Sequence, residues 1–130
     1  MRGSAAKPLT REEAEALFER RRRCYLERDV EGYLALWADD MEIELPRREP
    51  LRGKAAYRRL VERSFAELSP ESFEIHRLAV EGSHVLSEWT IRARRRADGR
   101  SIRWDGMAVC RIARGRIEHW REYWDPAQLR

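Results

Sequence analysis

The hydrophobic positions of the chain follow a helical period in its N-terminal half and an alternating period in its C-terminal half. Apolar residues three or four apart predict helices over 10–28 and 54–68. A shorter helix lies between them, begins after Asp29, which can cap it, and ends at a pair of aspartates. Residues 41–45 alternate as a strand does, and the prolines and glycine of 46–53 predict a loop.

The alternating half of the chain predicts four long strands joined by short turns. Asp98-Gly99 is a strong hairpin signal, and Arg114-Gly115 marks the last turn. Three helices followed by an antiparallel meander predict an α+β fold. Long hairpins curl, so we expect a cone-shaped antiparallel β-sheet packed against three N-terminal helices, a cystatin-like roll. The strands are predicted over 73–81, 84–96, 101–113 and 116–124.

The last strand concentrates aromatic and charged side chains. Successive side chains of a strand point to opposite faces of its sheet, so nine unbroken residues divide into two sets. Tryptophans and carboxylates share one set, which would suit either a ligand pocket or an ordinary core with one edge glutamate. The first set is Glu118, Trp120, Glu122 and Trp124, and the second is Ile117, His119, Arg121 and Tyr123.

The basic charge of the chain is carried almost entirely by arginine. Of its 27 basic residues only Lys7 and Lys54 are lysines, and 23 acidic residues leave a formal net charge of +4. The opposite charges are interspersed along the chain, which favours a solvated surface. The arginine runs at 20–23 and 92–96 have no interleaved aromatics, so nucleic-acid binding is the minority hypothesis.

Length and composition predict one domain over 10–130 after a flexible N-terminus at 1–9. Cys24 and Cys110 lie far apart and outside any CxxC spacing, which favours free thiols in a cytoplasmic protein. No apolar run is long enough to cross a membrane. The three histidines lack a metal-ligand spacing, and no glycine-rich phosphate loop is present. The sequence therefore predicts no metal and no cofactor.

Several motifs carry a resemblance to a known family. They are DVEGY at 29–33, LWADD at 36–40, LRG at 51–53, GRI at 115–117 and WREYWD at 120–125. With these motifs and its order of elements, nearly the whole chain resembles the SnoaL-like group of the nuclear transport factor 2-like superfamily. That group includes polyketide cyclases and limonene-epoxide hydrolases, with ketosteroid isomerases as relatives.

The resemblance implies a conical cavity between the concave sheet face and the helices, and a homodimer through the convex face. His119 and Asp105 would then lie on the dimer side. The residues that the resemblance places at the cavity are Arg21, Tyr25, Leu45, Trp89, Ile91, Trp104, Ala108, Cys110, Trp120, Glu122 and Trp124.

The same resemblance removes most of the family's known catalytic groups. The positions of the ketosteroid isomerase base, oxyanion tyrosine and oxyanion acid hold Leu45, Arg21 and Ala108. Two positions of the epoxide hydrolase Asp-Arg-Asp set hold Trp89 and Ile91. The last-strand acid is retained as Glu122. Neither of these two mechanisms is therefore expected in this chain.

Glu122 and Arg21 are the candidate catalytic residues. A carboxylate desolvated among tryptophans would be suited to general acid/base work. Arg21 interrupts an apolar helix face and could clamp a ligand oxygen, or it could simply neutralise Glu122. Tyr25 could donate a hydrogen bond to a ligand or pack in the core. Cys110 would be a nucleophile without a base nearby.

Two classes of function remain open, besides nucleic-acid binding. In the first, the chain binds a small apolar or polycyclic ligand in a tryptophan-lined pocket and works as a cofactor-free isomerase, cyclase or hydratase. In the second, it is a ligand-binding or dimeric assembly module without chemistry, and Glu122 and Arg21 form a static ion pair. An open cavity that Glu122 and Arg21 reach would favour the first class, and a filled core the second.

Overall fold

The computed structural model of the chain describes residues 8–130, so most of the predicted flexible N-terminus, residues 1–7, lies outside the described residues. The three predicted helices are confirmed. The Thr10 hydroxyl accepts a hydrogen bond from the Glu13 amide at 3.1 Å, and the Glu13 carboxylate accepts one from the Thr10 amide at 2.9 Å. Asp29 caps the second helix through the Gly32 amide at 3.0 Å. The helices are α1 (Arg11–Leu26), α2 (Val30–Ala35) and α3 (Lys54–Glu67).

Six strands form one curled sheet that does not close into a barrel. In space they follow the order β2-β1-β6-β5-β4-β3, and all neighbours are antiparallel except β1 and β6. The helices cover the concave face, as the α+β prediction requires. The strands are β1 (Trp37–Glu44), β2 (Leu51–Arg52), β3 (Leu68–Glu81), β4 (His84–Arg95), β5 (Ser101–Ala113) and β6 (Arg116–Tyr123), and a short 3₁₀ helix, Pro126–Leu129, follows them.

Three element boundaries differ from the predictions. β1 begins at Trp37, which pairs with β6 and is fully buried, whereas the second helix was predicted to continue to Asp39-Asp40. β3 begins at Leu68 and runs through Pro70, because an edge strand tolerates a residue without an amide hydrogen. The predicted loop at 46–53 contains the two-residue strand β2, which pairs only with the end of β1.

The predicted unbroken alternation of the last strand is wrong at its start. A register shift on β6 pairs Arg111 with His119 but Ile112 with Ile117, which is the signature of a β-bulge. Ile117 is therefore fully buried, and Glu118 turns away to pair with Arg111 at 3.1 Å. The alternation is regular from Trp120 onward.

Two clusters of buried residues form the core. In the larger one the rings of Trp37 and Trp120 lie 5.7 Å apart, and Phe18 of α1 stacks on Trp120 at the same distance. The smaller one gathers Phe73 and Trp89 with their neighbours at the other end of the sheet. Among the described residues, no helix has the length and apolar character needed to span a membrane.

Candidate functional site

A cavity of about 910 Å³ lies between the concave sheet face and the helices. Its walls come from α1, α2, α3, the β1–β2 loop and the inward rows of β3, β4 and β5, and the residues after β6 close one side. Such a volume is within the range that small-molecule sites occupy. The sequence-predicted residues that line it are Arg21, Tyr25, Leu45, Trp89, Ile91, Trp104, Glu122 and Trp124.

Three predicted ligand-binding residues do not line the cavity. Ala108, Cys110 and Trp120 are buried in the core, and the larger two are no more than 1% exposed. The inward rows of β5 and β6 continue beyond the cavity, where α1 covers them through Phe18. Burial raises the pKa of the Cys110 thiol to about 12, so this thiol is an inert packing group at neutral pH.

Two tyrosines that the sequence analysis did not single out as site residues also line the cavity. Tyr33 of α2 and Tyr57 of α3 are buried, and their hydroxyl oxygens lie 3.0 Å apart. Both occupy the apolar faces of their helices. A hydroxyl group within an apolar face was therefore the sequence feature that could have identified them as cavity residues. Phe73 of β3 completes the aromatic wall on the sheet side.

Glu122 lies on the cavity wall, where three neighbouring side chains contact its carboxylate. The alternation of β6 places Trp120 on the same side, and Trp124 follows two residues later. The Trp120 indole donates to Glu122 Oε2 at 2.9 Å, and the Trp124 indole donates to Oε1 at 2.8 Å. Arg21 Nη2 lies 4.0 Å from Oε2. The carboxylate is thus oriented by two hydrogen bonds and faces a cation.

Arg21 is buried on the same face of α1 as Ala14, Leu17 and Phe18, and only 5% of the residue is exposed. Its Cζ lies 4.1 Å from the ring centre of Trp120, which is a close cation–π contact. Nε and Nη1 are buried and have no hydrogen-bond partner within the described part of the chain. Arg21 lines the cavity, so its side chain combines a place in the cavity wall with two donor nitrogens that lack a partner.

Burial decides the charge states around this guanidinium. Desolvation disfavours a charged Arg21, but the oxygens of Tyr33, Tyr57 and Glu122 outweigh it and raise the pKa of Arg21 above its ordinary value. Burial raises the pKa of Tyr57 well above 10.0 and raises that of Tyr25 as well. At neutral pH the cavity thus combines a cation with protonated hydroxyl groups.

Other polar clusters lie away from the cavity. On the outward sheet face, Thr90 donates to Asp105 at 2.5 Å and contacts His76 at 2.7 Å. His119 contacts Glu44 at 2.7 Å between β6 and β1. Within residues 8–130 no group of three or more histidine, cysteine and acidic side chains is arranged to hold a metal ion.

Comparison with known proteins gives a family and a set of shared folds. The model of a SnoaL-like domain matches residues 15–120. A limonene-epoxide-hydrolase-like epoxide hydrolase of Mycobacterium tuberculosis is 25% identical at a TM-score of 0.77, and the match covers 90% of this chain and 86% of that one. The comparison with curated protein sequences yields no match.

Two further solved structures share the fold at lower identity. A proposed isomerase from Bacillus subtilis is 22% identical at a TM-score of 0.80, covering 90% of this chain and 89% of the other. A proposed polyketide cyclase from Xanthomonas campestris is 18% identical at a TM-score of 0.78, covering 92% and 95%. At these identities the similarity establishes the fold, but it does not show that this chain catalyses the same reaction.

Proposed function

The chain belongs to the SnoaL-like family, and from that premise we propose that it binds a small, largely apolar molecule whose oxygen atom is held by Arg21. One observation carries the proposal: a buried guanidinium with two unpartnered nitrogens at the wall of a 910 Å³ cavity. A buried polar group without a partner is costly. A ligand oxygen would supply the missing acceptor.

The remainder of the cavity supports an apolar or polycyclic body for the ligand. Trp89, Trp104 and Phe73 offer flat rings on the sheet side, and Tyr25 packs edge-on against Phe73 at 5.5 Å. Aromatic walls favour stacking against planar ligands. The Trp89 indole nitrogen is also buried without a partner within residues 8–130, so it could bind a second ligand oxygen.

The reaction that this pair supports best is proton transfer next to a carbonyl group. Arg21 would bind the carbonyl oxygen, and Glu122 would accept a proton from the adjacent carbon, leaving an enolate on Arg21. Return of that proton to another carbon completes an isomerisation. Attack of the enolate carbon on a second carbonyl of the same molecule, whose oxygen takes the proton back from Glu122, gives a cyclisation. The solved relatives described as a proposed isomerase and a proposed polyketide cyclase make these the two outcomes to test first.

A binding module without chemistry is the second candidate, and one observation favours it. Both oxygens of Glu122 already accept an indole hydrogen bond, so its neighbours within the protein already satisfy the carboxylate. In that case Arg21 alone selects the ligand and Glu122 orients Arg21.

Ligand binding is tested by native mass spectrometry of freshly purified protein, followed by extraction and identification of any bound molecule. We expect a bound small molecule in the unmodified protein and its loss in Arg21→Met, which keeps an unbranched apolar stem but removes the donors. Arg23→Met, on the exposed side of the same helix, is the matched control and should keep the ligand. A protein that carries no ligand, and binds none from a panel of oxygenated terpenoids and polycyclic ketones, would contradict the proposal.

The two candidates separate in a proton-exchange experiment. The extracted ligand, or the best ketone of the panel, is incubated with the protein in deuterium oxide and followed by NMR. An enzyme should exchange the hydrogens next to the carbonyl, and Glu122→Gln should stop the exchange without abolishing binding. Binding without exchange in the unmodified protein would favour the module.

We also propose that the protein is a cytoplasmic homodimer that associates through its convex face. Both cysteines are free among the described residues, which agrees with a reducing compartment. Three large hydrophobic side chains are exposed on outward positions of neighbouring strands, and a second copy would cover them. They are Leu86, Met107 and Tyr123.

A further inference from the structure

The border of the cavity carries an unusual concentration of arginines. Four of the exposed residues that line it are arginines from three separate elements. The β1–β2 loop contributes two, α3 contributes one, and the last lies just after β4. We call this set the arginine mouth: Arg47, Arg48, Arg63 and Arg96.

The arginine mouth has no carboxylate partners among the described residues. Within residues 8–130, the side chains of Arg47, Arg48 and Arg63 make no ion pair or hydrogen bond, and Arg96 uses only its Nε, toward the Phe65 carbonyl at 3.2 Å. Other exposed arginines, such as Arg92 and Arg116, also have no ion-pair partner in the part of the chain that the structure describes, whereas several arginines of the sheet and helices are paired. Examples are Arg58 with Glu31, Arg77 with Glu88, Arg94 with Glu71 and Arg111 with Glu118.

The residues that line the cavity also carry an excess of positive charge. Besides the buried pair of Arg21 and Glu122, the cavity border holds one acid, Glu67. Arg95 lines the cavity as well, but it is paired with Asp98 at 3.2 Å. The four arginines of the mouth against one glutamate then leave an excess of three positive charges there, out of a formal net charge of +4 for the whole chain. A positive border around a low-dielectric cavity focuses its field on whatever enters.

We propose that the natural ligand is an anionic amphiphile, whose apolar body fills the cavity while a carboxylate or phosphate group stays at the arginine mouth. This inference rests on the proposed ligand-binding function and adds the charge of the ligand to it. Free guanidinium groups match the geometry of carboxylate and phosphate oxygens. The two ends of the ligand are then distinguished: Arg21 binds an internal oxygen, and the arginine mouth binds the terminal acid.

The test compares two probes that differ only in charge, 1-pyrenebutanoate and 1-pyrenebutanol. Both carry a planar apolar body, and energy transfer from tryptophan to pyrene reports their binding. We expect the acid to bind roughly tenfold more tightly than the alcohol at low salt, because two or three exposed ion pairs add up to that factor. High salt should remove most of the difference. Displacement of the probe by dodecanoate and by dodecyl phosphate then shows which acid is preferred.

Two variants locate the effect on the protein. Arg47→Gln/Arg48→Gln and Arg63→Gln change exposed side chains without partners, so their folding should be unaffected. Each should weaken binding of 1-pyrenebutanoate several-fold and leave binding of 1-pyrenebutanol unchanged. Arg92→Gln/Arg116→Gln removes two exposed arginines outside the cavity and should change neither probe.

The outcomes are distinguishable. Equal binding of acid and alcohol, unaffected by the mouth variants, would overturn this inference and leave the proposed ligand-binding function standing. Equal weakening by Arg92→Gln/Arg116→Gln would show a general charge effect and also overturn it. Failure of both probes to bind would count against both proposals. Binding of a single-stranded oligonucleotide through the arginine mouth, without binding of the acid, would make it a nucleic-acid site instead.

Discussion

Arg21 occupies a position on α1 that packing alone would give to leucine or methionine. Its burial against Trp120 is compensated only in part, because Glu122 stands 4.0 Å away and two guanidinium nitrogens have no partner within residues 8–130. Buried ion pairs often contribute little or nothing to folding stability. A costly arrangement of this kind is typical of a site whose missing partner is a ligand.

The first prediction follows from that imbalance. We expect the free energy of unfolding of Arg21→Met/Glu122→Gln to equal that of the unmodified protein or to exceed it by up to about 1–4 kcal/mol. The single change Glu122→Gln should instead destabilise, because it leaves the guanidinium without its carboxylate. Urea unfolding of the three proteins measures the difference. A double variant clearly less stable than the unmodified protein would show that the pair stabilises the fold.

The second prediction concerns alkaline pH. Burial raises the pKa of Cys110 from 9.0 to about 12 and raises that of Tyr57 well above 10.0. Above pH 9 the folded protein therefore holds protons that the unfolded chain releases, so the free energy of unfolding falls as pH rises. One such group contributes a slope of about 1.4 kcal/mol per pH unit.

The measurement is urea unfolding at several pH values between 7 and 11. Cys110→Ala should flatten the decline by the contribution of one group, whereas Cys24→Ala, at a half-buried position, should flatten it less. A stability that stays constant up to pH 11 would show that the buried thiol and phenol have partners that accept their charge.

At the residue scale, the sequence was sufficient to predict those site residues that interrupt a hydrophobic pattern. Arg21 and Glu122 were predicted because each is a charge among apolar neighbours, and the structure brings them together. Ala108 and Cys110 could not be separated from the cavity lining, because alternation gives the face of a sheet but not which part of that face a helix covers. That the side chains of the arginine mouth have no partners could not be predicted, because sequence periodicity gives no distances between elements.

At the element scale, β4 and β5 depend on a glycine that the sequence analysis did not single out. Gly106 is the register partner of Trp89, and the indole of Trp89 lies over it. A Cβ added at Gly106 would come within 2.6 Å of Trp89 Cη2 and 2.9 Å of Cζ2. Gly106 therefore makes room for an aromatic wall of the cavity and fixes its orientation.

The third prediction is that Gly106→Ala destabilises the protein by about 1–3 kcal/mol and weakens ligand binding, since the rigid indole must move. In a Trp89→Leu background the same change should be neutral or mildly stabilising, because alanine is favoured over glycine inside a strand by about 0.5–1 kcal/mol. A double-mutant cycle by urea unfolding tests this reversal of sign. Equal effects in both backgrounds would contradict a clash between Gly106 and Trp89.

The elements were predictable where a local pattern is sufficient for them. Capping residues and hairpin turns set the helices and the four long strands. β2 and the start of β1 were missed because they form through pairing with distant strands, Trp37 with Ile117 and Ile43 with Leu51. The bulge at Glu118 was missed for the same reason. The bulge arises where β6 pairs with β5 on one side and with the parallel β1 on the other. The sequence of β6 alone does not show which strands will flank it.

At the scale of the whole molecule, the two faces of the sheet differ in how they are covered. The concave face packs against helices and borders the cavity, whereas the outward face of β4, β5 and β6 has no covering element among residues 8–130. Leu86, Met107 and Tyr123 are 40%, 47% and 53% exposed on it. Met107 pairs with Tyr123 across neighbouring strands, so the apolar side chains are contiguous. Contiguous exposed apolar surface is typical of a protein interface.

The fourth prediction is that the protein is a dimer in solution and that Met107→Glu/Tyr123→Glu makes it a monomer. Two copies related by a twofold axis would place this patch against itself, and four introduced carboxylates would then be buried together without partners. Light scattering coupled to size exclusion measures the mass, with Ala16→Glu on the exposed side of α1 as the control. Because the patch and the cavity lie on opposite faces of the sheet, the monomeric variant should still bind 1-pyrenebutanoate. A monomeric unmodified protein would refute the interface, and a monomer that loses the probe would show that dimerisation shapes the cavity.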